Sequence, residues 1–506
     1  MISISGSALN SIDRSSALYK KILDAHHRLT KKDVTIWGRD AEAEAAIRLG
    51  WVDLPEKSRE LLPQLDAISA KHRGKNRVVL CGMGGSSLGP EVIAATFGKK
   101  LFVLDSTDPN YVAHALEGEL AKTVVIVSSK SGATIETASQ RALFENAFTL
   151  AGLKSEEHIV IVTDPNSPLD KEARARGYGV VNGDPSVGGR FSVLSAFGLV
   201  PASLIGIDAS VLLDNALDAK QNLQVNPNLV VDAAYVLATC GQYLAFTDQY
   251  SSMPGLSDWI EQLIAESTGK NQIGRLPIVV QNKGDGSQGQ ALRIAFSGGS
   301  DLVIIADLSA QFFLWEWITA LLCAGLQVDP FNQPNVTEAK NQSAELLKEW
   351  KGKLPEFTPD KIENEIEIFG AHALFSQILA RIPEDGYLAI MAYLDRREDV
   401  ALVELRKILA TKSSRPVTFG WGPRFLHSTG QFHKGGQQNG AFLQITGSVV
   451  KDIAIPDQIY GFQTLLMAQA IGDGKALLSR GLPMIRLHLK NRKSGIAELL
   501  KVAREL

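Results

Sequence analysis

At 506 residues the chain is too long for one hydrophobic core and predicts two to four domains; 45% hydrophobic and 21% charged residues describe a globular protein with ample material to bury. Its formal net charge of −3 excludes a broadly basic nucleic-acid-binding surface, so an anionic ligand has to be held by local donors. Three scattered cysteines, Cys81, Cys240 and Cys323, have no further cysteine or histidine at metal-ligand spacing, which predicts buried free thiols in a reducing compartment and no metal centre.

The first sixty or so residues are amphipathic and helix-prone, with a polar N-terminus unlike a secretory signal, and are expected to pack across the unit that follows. From Arg77 to about Asp184 the strand-like runs RVVLC, KLFVLD, TVVIVSS, HIVIVTD and YGVVNG alternate with helical patterns such as 136–150, which predicts an α/β unit with a parallel sheet. A second α/β unit is expected to open with a helix over 231–247. It then carries an amphipathic helix over 256–267 and a buried helix over 312–328, short for a membrane span and interrupted by Glu316. Residues 351–359 read as a linker, and beyond Glu363 the runs YLAIMAYL, PVTFGWG, FLQITG and MIRLHL predict an additional C-terminal α/β unit. The expected domains are 1–215, 216–358 and 359–506, in a cytoplasmic protein without membrane contact.

Two segments carry the clearest chemistry: VVLCGMGGSSLGP (78–90) and VVIVSSKSGATIET (124–137). In each, a β-branched stretch stops at Gly, Ser and Thr and a helical pattern follows, with Pro90 suited to the first helical position. Such a turn gathers backbone N–H groups at a helix N-terminus, and Gly84 and Gly85 let an anion come close. Ser86, Ser87, Ser129, Ser131 and Thr134 add hydroxyl donors. One such loop is weak evidence for phosphate, whereas two in one sheet are much stronger. On the helix over 256–267, Asp258, Gln262 and Glu266 share a face; the plain reading is a solvated stripe with Glu266 and Lys270 as an i, i+4 pair.

Five blocks, GMGGSSLGP (82–90), SSKSGATIET (128–137), GGRFSVLSAFGLVP (188–201), IEQLIAESTGK (260–270) and VDPFNQPNVTEAK (328–340), resemble, in order, the motif set of the glucose-6-phosphate isomerase family. The resemblance is strongest to the isomerase portion of transaldolase–isomerase fusions, with no room here for a transaldolase. It implies sugar-isomerase (SIS-like) three-layer α/β/α units and a cofactor-free aldose–ketose isomerase. Carried onto these positions, it implies phosphate binding by Ser129, Lys130, Ser131 and Thr134, with Ser86 and the Gly84–Gly85 turn beside them. Glu266 would move the proton between C2 and C1, and Arg190, behind Gly189, would stabilise the enediolate. Gln262 would bind the sugar or its phosphate, Gln333 would support the phosphate end, and Lys340 would assist ring opening.

One departure stands out. The family places a ring-opening histidine about twenty residues after the base, where this chain reads GDGSQGQ (284–290); a similar LHSTGQ lies instead at 426–431, within WGPRFLHSTGQFHKGG. His427 is therefore the expected ring-opening imidazole, with His433 as the alternative and a structural or merely substrate-binding histidine as the plain reading. Three rivals remain at this stage: an isomerase that also uses mannose 6-phosphate, a non-enzymatic sugar-phosphate sensor, and a permuted or decayed enzyme. Family members are commonly dimers that share a site residue, so a homodimer is implied; a histidine from the chain's own third unit weakens that reason for dimerisation and leaves a monomer open.

Overall fold

A computed structural model describes residues 2–282, 285 and 291–506. The first sheet has five parallel strands in the spatial order Phe102–Leu104, Arg77–Gly82, Thr123–Ser128, Ile159–Thr163, Gly179–Asn182. Every one falls on a run read as a strand. Strands Thr123–Ser128 and Ile159–Thr163 are buried along their whole length, which is why their sequences run continuously apolar instead of alternating. The chain leaves Arg77–Gly82 toward one side for Phe102–Leu104 and returns on the other side as Thr123–Ser128. That reversal opens a crevice at the carboxyl ends of those two strands, and both glycine- and serine-rich loops sit there.

The second sheet runs in the order Ser3–Ser5, Leu302–Ile305, Leu292–Ala295, Tyr243–Thr247, Leu276–Val279, all parallel except the antiparallel Ser3–Ser5 edge. Here the expected helix over 231–247 is corrected. The helix Asn228–Thr239 ends before Gly241, and Tyr243–Thr247 is a strand buried throughout, so periodicity could not separate it from the preceding apolar helix. The N-terminal segment is divided: Leu49 bridges to Val187 and Trp51 packs on Phe191 of the first unit, as expected, whereas its earlier part serves the second unit. Ser3–Ser5 adds a strand to its sheet, and helix Ala17–Leu29 packs there, with the Tyr19 hydroxyl donating to Asp232 (2.7 Å) and His26 against Trp317.

The third sheet has the order Lys361–Glu363, Ile366–Phe369, Met484–Leu489, Gly440–Gly447, Tyr387–Tyr393, Val417–Trp421; the last four are parallel and the first two form an antiparallel edge. This unit has its own aliphatic core, and Tyr387, Phe432 and Phe442 pack it against Tyr243 and Leu276 of the second. Polar contacts fasten it to the first unit. Arg424 reaches Glu91 at 2.6 Å and Asp105 at 2.7 Å, and Arg396 reaches Glu91 at 2.7 Å.

The buried helix expected over 312–328 is Leu308–Leu326. Glu316 on it is fully buried, and neither carboxylate oxygen has a hydrogen-bond partner among the described residues, so burial pushes its pKa well up. A carboxyl whose pKa is raised in the folded state keeps a proton that the unfolded chain releases. Stability therefore falls as pH rises above the unfolded value of about 4.3. Glu316→Met, of similar volume, is expected to stabilise the fold by about 1–3 kcal/mol near pH 7 and to flatten that slope, read from urea unfolding at several pH values.

Candidate active site

Of the residues expected at the site, fourteen line one cleft of about 500 Å³, and Ser87 and His433 do not. Its floor is the crevice at the end of the first sheet. Its walls come from the second unit, through helix Leu256–Thr268 and the segment before helix Val336–Trp350, and from the third unit, through the turn Arg424–His427.

The anion end is built from two loops. Helix Ile135–Leu150 starts after Thr134, which makes no side-chain cap bond, so first-turn amides are left to serve a ligand. Ser129 Oγ donates to Thr134 Oγ1 (3.3 Å) and accepts from the Gly132 amide (3.1 Å), while Ser131 Oγ accepts from the Ala133 amide (3.2 Å). Lys130 lines the same end, with its ammonium paired to Asp164 at 2.9 Å; burial, partly offset by Asp164, pulls its pKa down. In the second loop Ser86 faces the cleft and Ser87 turns inward to donate to the Gly84 carbonyl (3.1 Å). Helix Leu88–Thr96 begins before Pro90, which lies third in the helix and not first; its missing N–H still falls among those that the first turn leaves unpaired. Arg48, bound to Glu44 (3.2 Å) and to the Pro185 carbonyl (3.1 Å), adds a cation at the rim that no motif announced.

The two glycine segments touch. A Cβ on Gly85 would lie 2.0 Å from the Gly189 carbonyl oxygen, so only glycine permits the approach that seats Arg190 beside the phosphate loop. Gly85→Ala is expected to separate these backbones and destabilise the fold by about 1–3 kcal/mol, measurable by urea unfolding.

Arg190 is buried, and each of its five N–H groups has an acceptor. Nε donates to Ser267 Oγ (2.9 Å), Nη1 to Glu266 Oε2 (3.2 Å) and Gln333 Oε1 (2.7 Å), and Nη2 to the Pro330 (2.5 Å) and Asn332 (3.0 Å) carbonyls. Glu266 is buried too. Burial raises its pKa, and Arg190 and then His427 hold that rise in check. The plain reading of a Glu266–Lys270 surface pair is thus overturned: Glu266 pairs with Arg190, and buried Lys270 donates to the Asp329 carbonyl with its pKa drawn down to about 7, chiefly by burial.

Gln262 Nε2 donates to the His427 carbonyl (2.9 Å) and approaches Glu266 Oε2 (3.5 Å). Its own Oε1, like Asn332 Oδ1, is buried without a partner among the described residues and suits a hydroxyl donor. The imidazole of His427 lies 3.1 Å from Glu136, which also accepts from Gln469 (2.7 Å). Burial opposes ionisation of Glu136, but the charge and hydrogen bond of His427 outweigh it and hold the carboxyl below its ordinary value. Glu136 lies inside the SSKSGATIET block without having been singled out as a site residue. His433 does not line the cleft: it is buried against Tyr387, its Nδ1 2.9 Å from that hydroxyl, and burial brings its pKa to about 3. Lys340 and Gln333 stand at the exposed rim. The GDGSQGQ segment (284–290), apart from Asp285, lies outside the described residues.

Residues 57–271 match the family model described as phosphoglucose isomerase, a stretch that holds four of the five blocks and stops before Gln333, Lys340 and His427. The glucose-6-phosphate isomerase of Carboxydothermus hydrogenoformans is 34% identical over 247 residues, 44% of this chain and 53% of the relative. That of Campylobacter jejuni is 32% identical over 250 residues, 46% of this chain and 61% of the relative. The chain thus spans about half the length of the first and three fifths of the second. A crystal structure of a glucose-6-phosphate isomerase from Chlamydia trachomatis superposes with a TM-score of 0.55 at 19% identity, covering 70% of this chain and 90% of that one. The resemblance read from the motifs is borne out over the matched stretch, as is the SIS-like α/β fold; the transaldolase link rests on the sequence resemblance alone.

Proposed function

We propose, with the match to phosphoglucose isomerases as premise, that this cleft interconverts glucose 6-phosphate and fructose 6-phosphate. The observation that carries the reading is one cleft with a buried, arginine-paired carboxylate, Glu266, and an open helix N-terminus ringed by Ser129, Ser131 and Thr134. Phosphate at the serine loop fixes the far end of the sugar, so binding energy remote from the chemistry positions C1 and C2. Gln262 Oε1 and Asn332 Oδ1 accept from sugar hydroxyls. His427, oriented by Glu136, and Lys340 act on the ring oxygen and its hydroxyl to open the ring.

Glu266 then takes the C2 proton as a carboxylate and returns it to C1, while Arg190 stabilises the negative charge that develops on the enediolate oxygen. Burial serves this step by raising the pKa of Glu266, which strengthens it as a base, and Arg190 opposes that rise and favours the carboxylate. The chain's own groups account for each proton, and the reading calls for no metal or organic cofactor.

The test is turnover of each sugar phosphate by the purified chain beside His427→Ala. Expected are interconversion of glucose and fructose 6-phosphates and a loss of about 10–100-fold in the variant. Equal use of mannose 6-phosphate would widen the substrate, and binding without turnover would leave a sensor. An unaffected His427→Ala would move ring opening to Lys340.

A further inference from the structure

Away from the catalytic cleft, the C-terminal unit carries a second, solvent-open cavity of about 580 Å³, between the edge of its sheet, the end of helix Phe462–Leu478 and residues after Trp350. Three cations, Arg381, Lys475 and Arg486, line it, and among the described residues its lining holds no carboxylate. That is a lopsided charge in a chain whose net charge is −3.

Arg486 is the informative residue. It is only 8% exposed, its guanidinium lies 3.9 Å from the ring centre of Phe369 and 5.1 Å from that of Phe357, and no hydrogen bond to it exists among the described residues. Glu367, the acid that acts on it, pairs instead with Lys490 at 3.7 Å. Burial pulls the guanidinium down to about 10, a cost that a bound anion would relieve. Arg190 offers the contrast within the same chain, more deeply buried but with every N–H satisfied. Gln444, fully buried on the same cavity, leaves its Oε1 without a partner and so offers an acceptor.

We infer that this cavity is a binding site for a small organic anion, a phosphate ester or carboxylate on an aromatic or apolar body. The anionic group meets Arg486 in the planar, two-pronged geometry that guanidinium favours, with Lys475 and Arg381 beside it. The body lies against Phe357, Phe369 and Met484, and a hydroxyl or amide on it donates to Gln444. Free phosphate lacks the apolar body and is expected to bind far more weakly.

The experiment is calorimetric titration of the full chain with phenyl phosphate and with benzoate, using inorganic phosphate as reference. Because the catalytic cleft also attracts phosphate, the titration is repeated on Ser129→Ala/Thr134→Ala. Expected is one saturable site for phenyl phosphate or benzoate, retained in that double variant and weakened about tenfold or more by Arg486→Gln. Lys475→Gln, a change at an exposed position that leaves packing intact, is expected to weaken it in the same direction. Loss of the site in the double variant, indifference to both Arg486→Gln and Lys475→Gln, or binding no tighter than inorganic phosphate would each overturn the inference.

Discussion

Glu266→Gln is expected to lower turnover about 10²–10⁴-fold while leaving sugar-phosphate binding within about threefold, because the amide keeps the shape of the side chain and cannot accept the C2 proton. On the proposed reading the phosphate contributes most of the binding energy, at the other end of the cleft, where Ser129 and Thr134 flank the serine loop and the helix N-terminus. The pH dependence carries a second signature. A base whose pKa is raised by burial is protonated and idle below that pKa, so activity climbs with pH through an acid limb displaced above the ordinary carboxylate value. Kinetics at several pH values, with binding measured separately by calorimetry, check both points. A variant with near-normal kcat would give the proton transfer to another group.

Arg190→Met is expected to cost both stability and rate. Removing one partner of a buried pair costs about 3–5 kcal/mol, and here the change also frees two carbonyl acceptors and the hydroxyl of Ser267. Turnover should fall about 10²–10³-fold with the charge that faces the enediolate. Because Arg190 opposes the rise in the Glu266 pKa, its loss should also move the acid limb to higher pH, by direction opposite to any variant that exposes the site to water. Lysine in its place is not a conservative change, since an ammonium has three donors for five acceptors. Urea unfolding and a pH–rate profile of the same preparation separate the structural from the catalytic part.

The site was far more legible in the sequence than the packing around it. Gly84, Gly85, Ser129 and Thr134 announced themselves because two parallel strands of one sheet each end in small and hydroxyl residues before a helix, a pairing that points to an anion far more strongly than one such loop does. Glu266, Arg190 and His427 required the resemblance, since a lone carboxylate on an amphipathic helix carries no mark of its role. The acceptors that complete Arg190 were out of reach. Two are backbone carbonyls, at Pro330 and Asn332, and a carbonyl has no sequence signature. Arg424 and Glu91, which pin the turn carrying His427, lie more than three hundred residues apart and meet only once the third unit docks.

The errors in the fold reading have physical causes too. Tyr243–Thr247 is a strand sealed on both faces directly after an apolar helix, so the only cue to the change was Gly241. Ser3–Ser5 is three residues long and pairs with residues 303–305, a contact no local pattern can report.

The most direct test of the account is to incubate fructose 6-phosphate with the intact chain in D₂O and follow the products by NMR. The account predicts glucose 6-phosphate, with deuterium accumulating at its C2 over many reversible turnovers, because a proton held on the Glu266 carboxylate exchanges with water. Absence of glucose 6-phosphate, or an equilibrated mixture that stays free of deuterium, would contradict it.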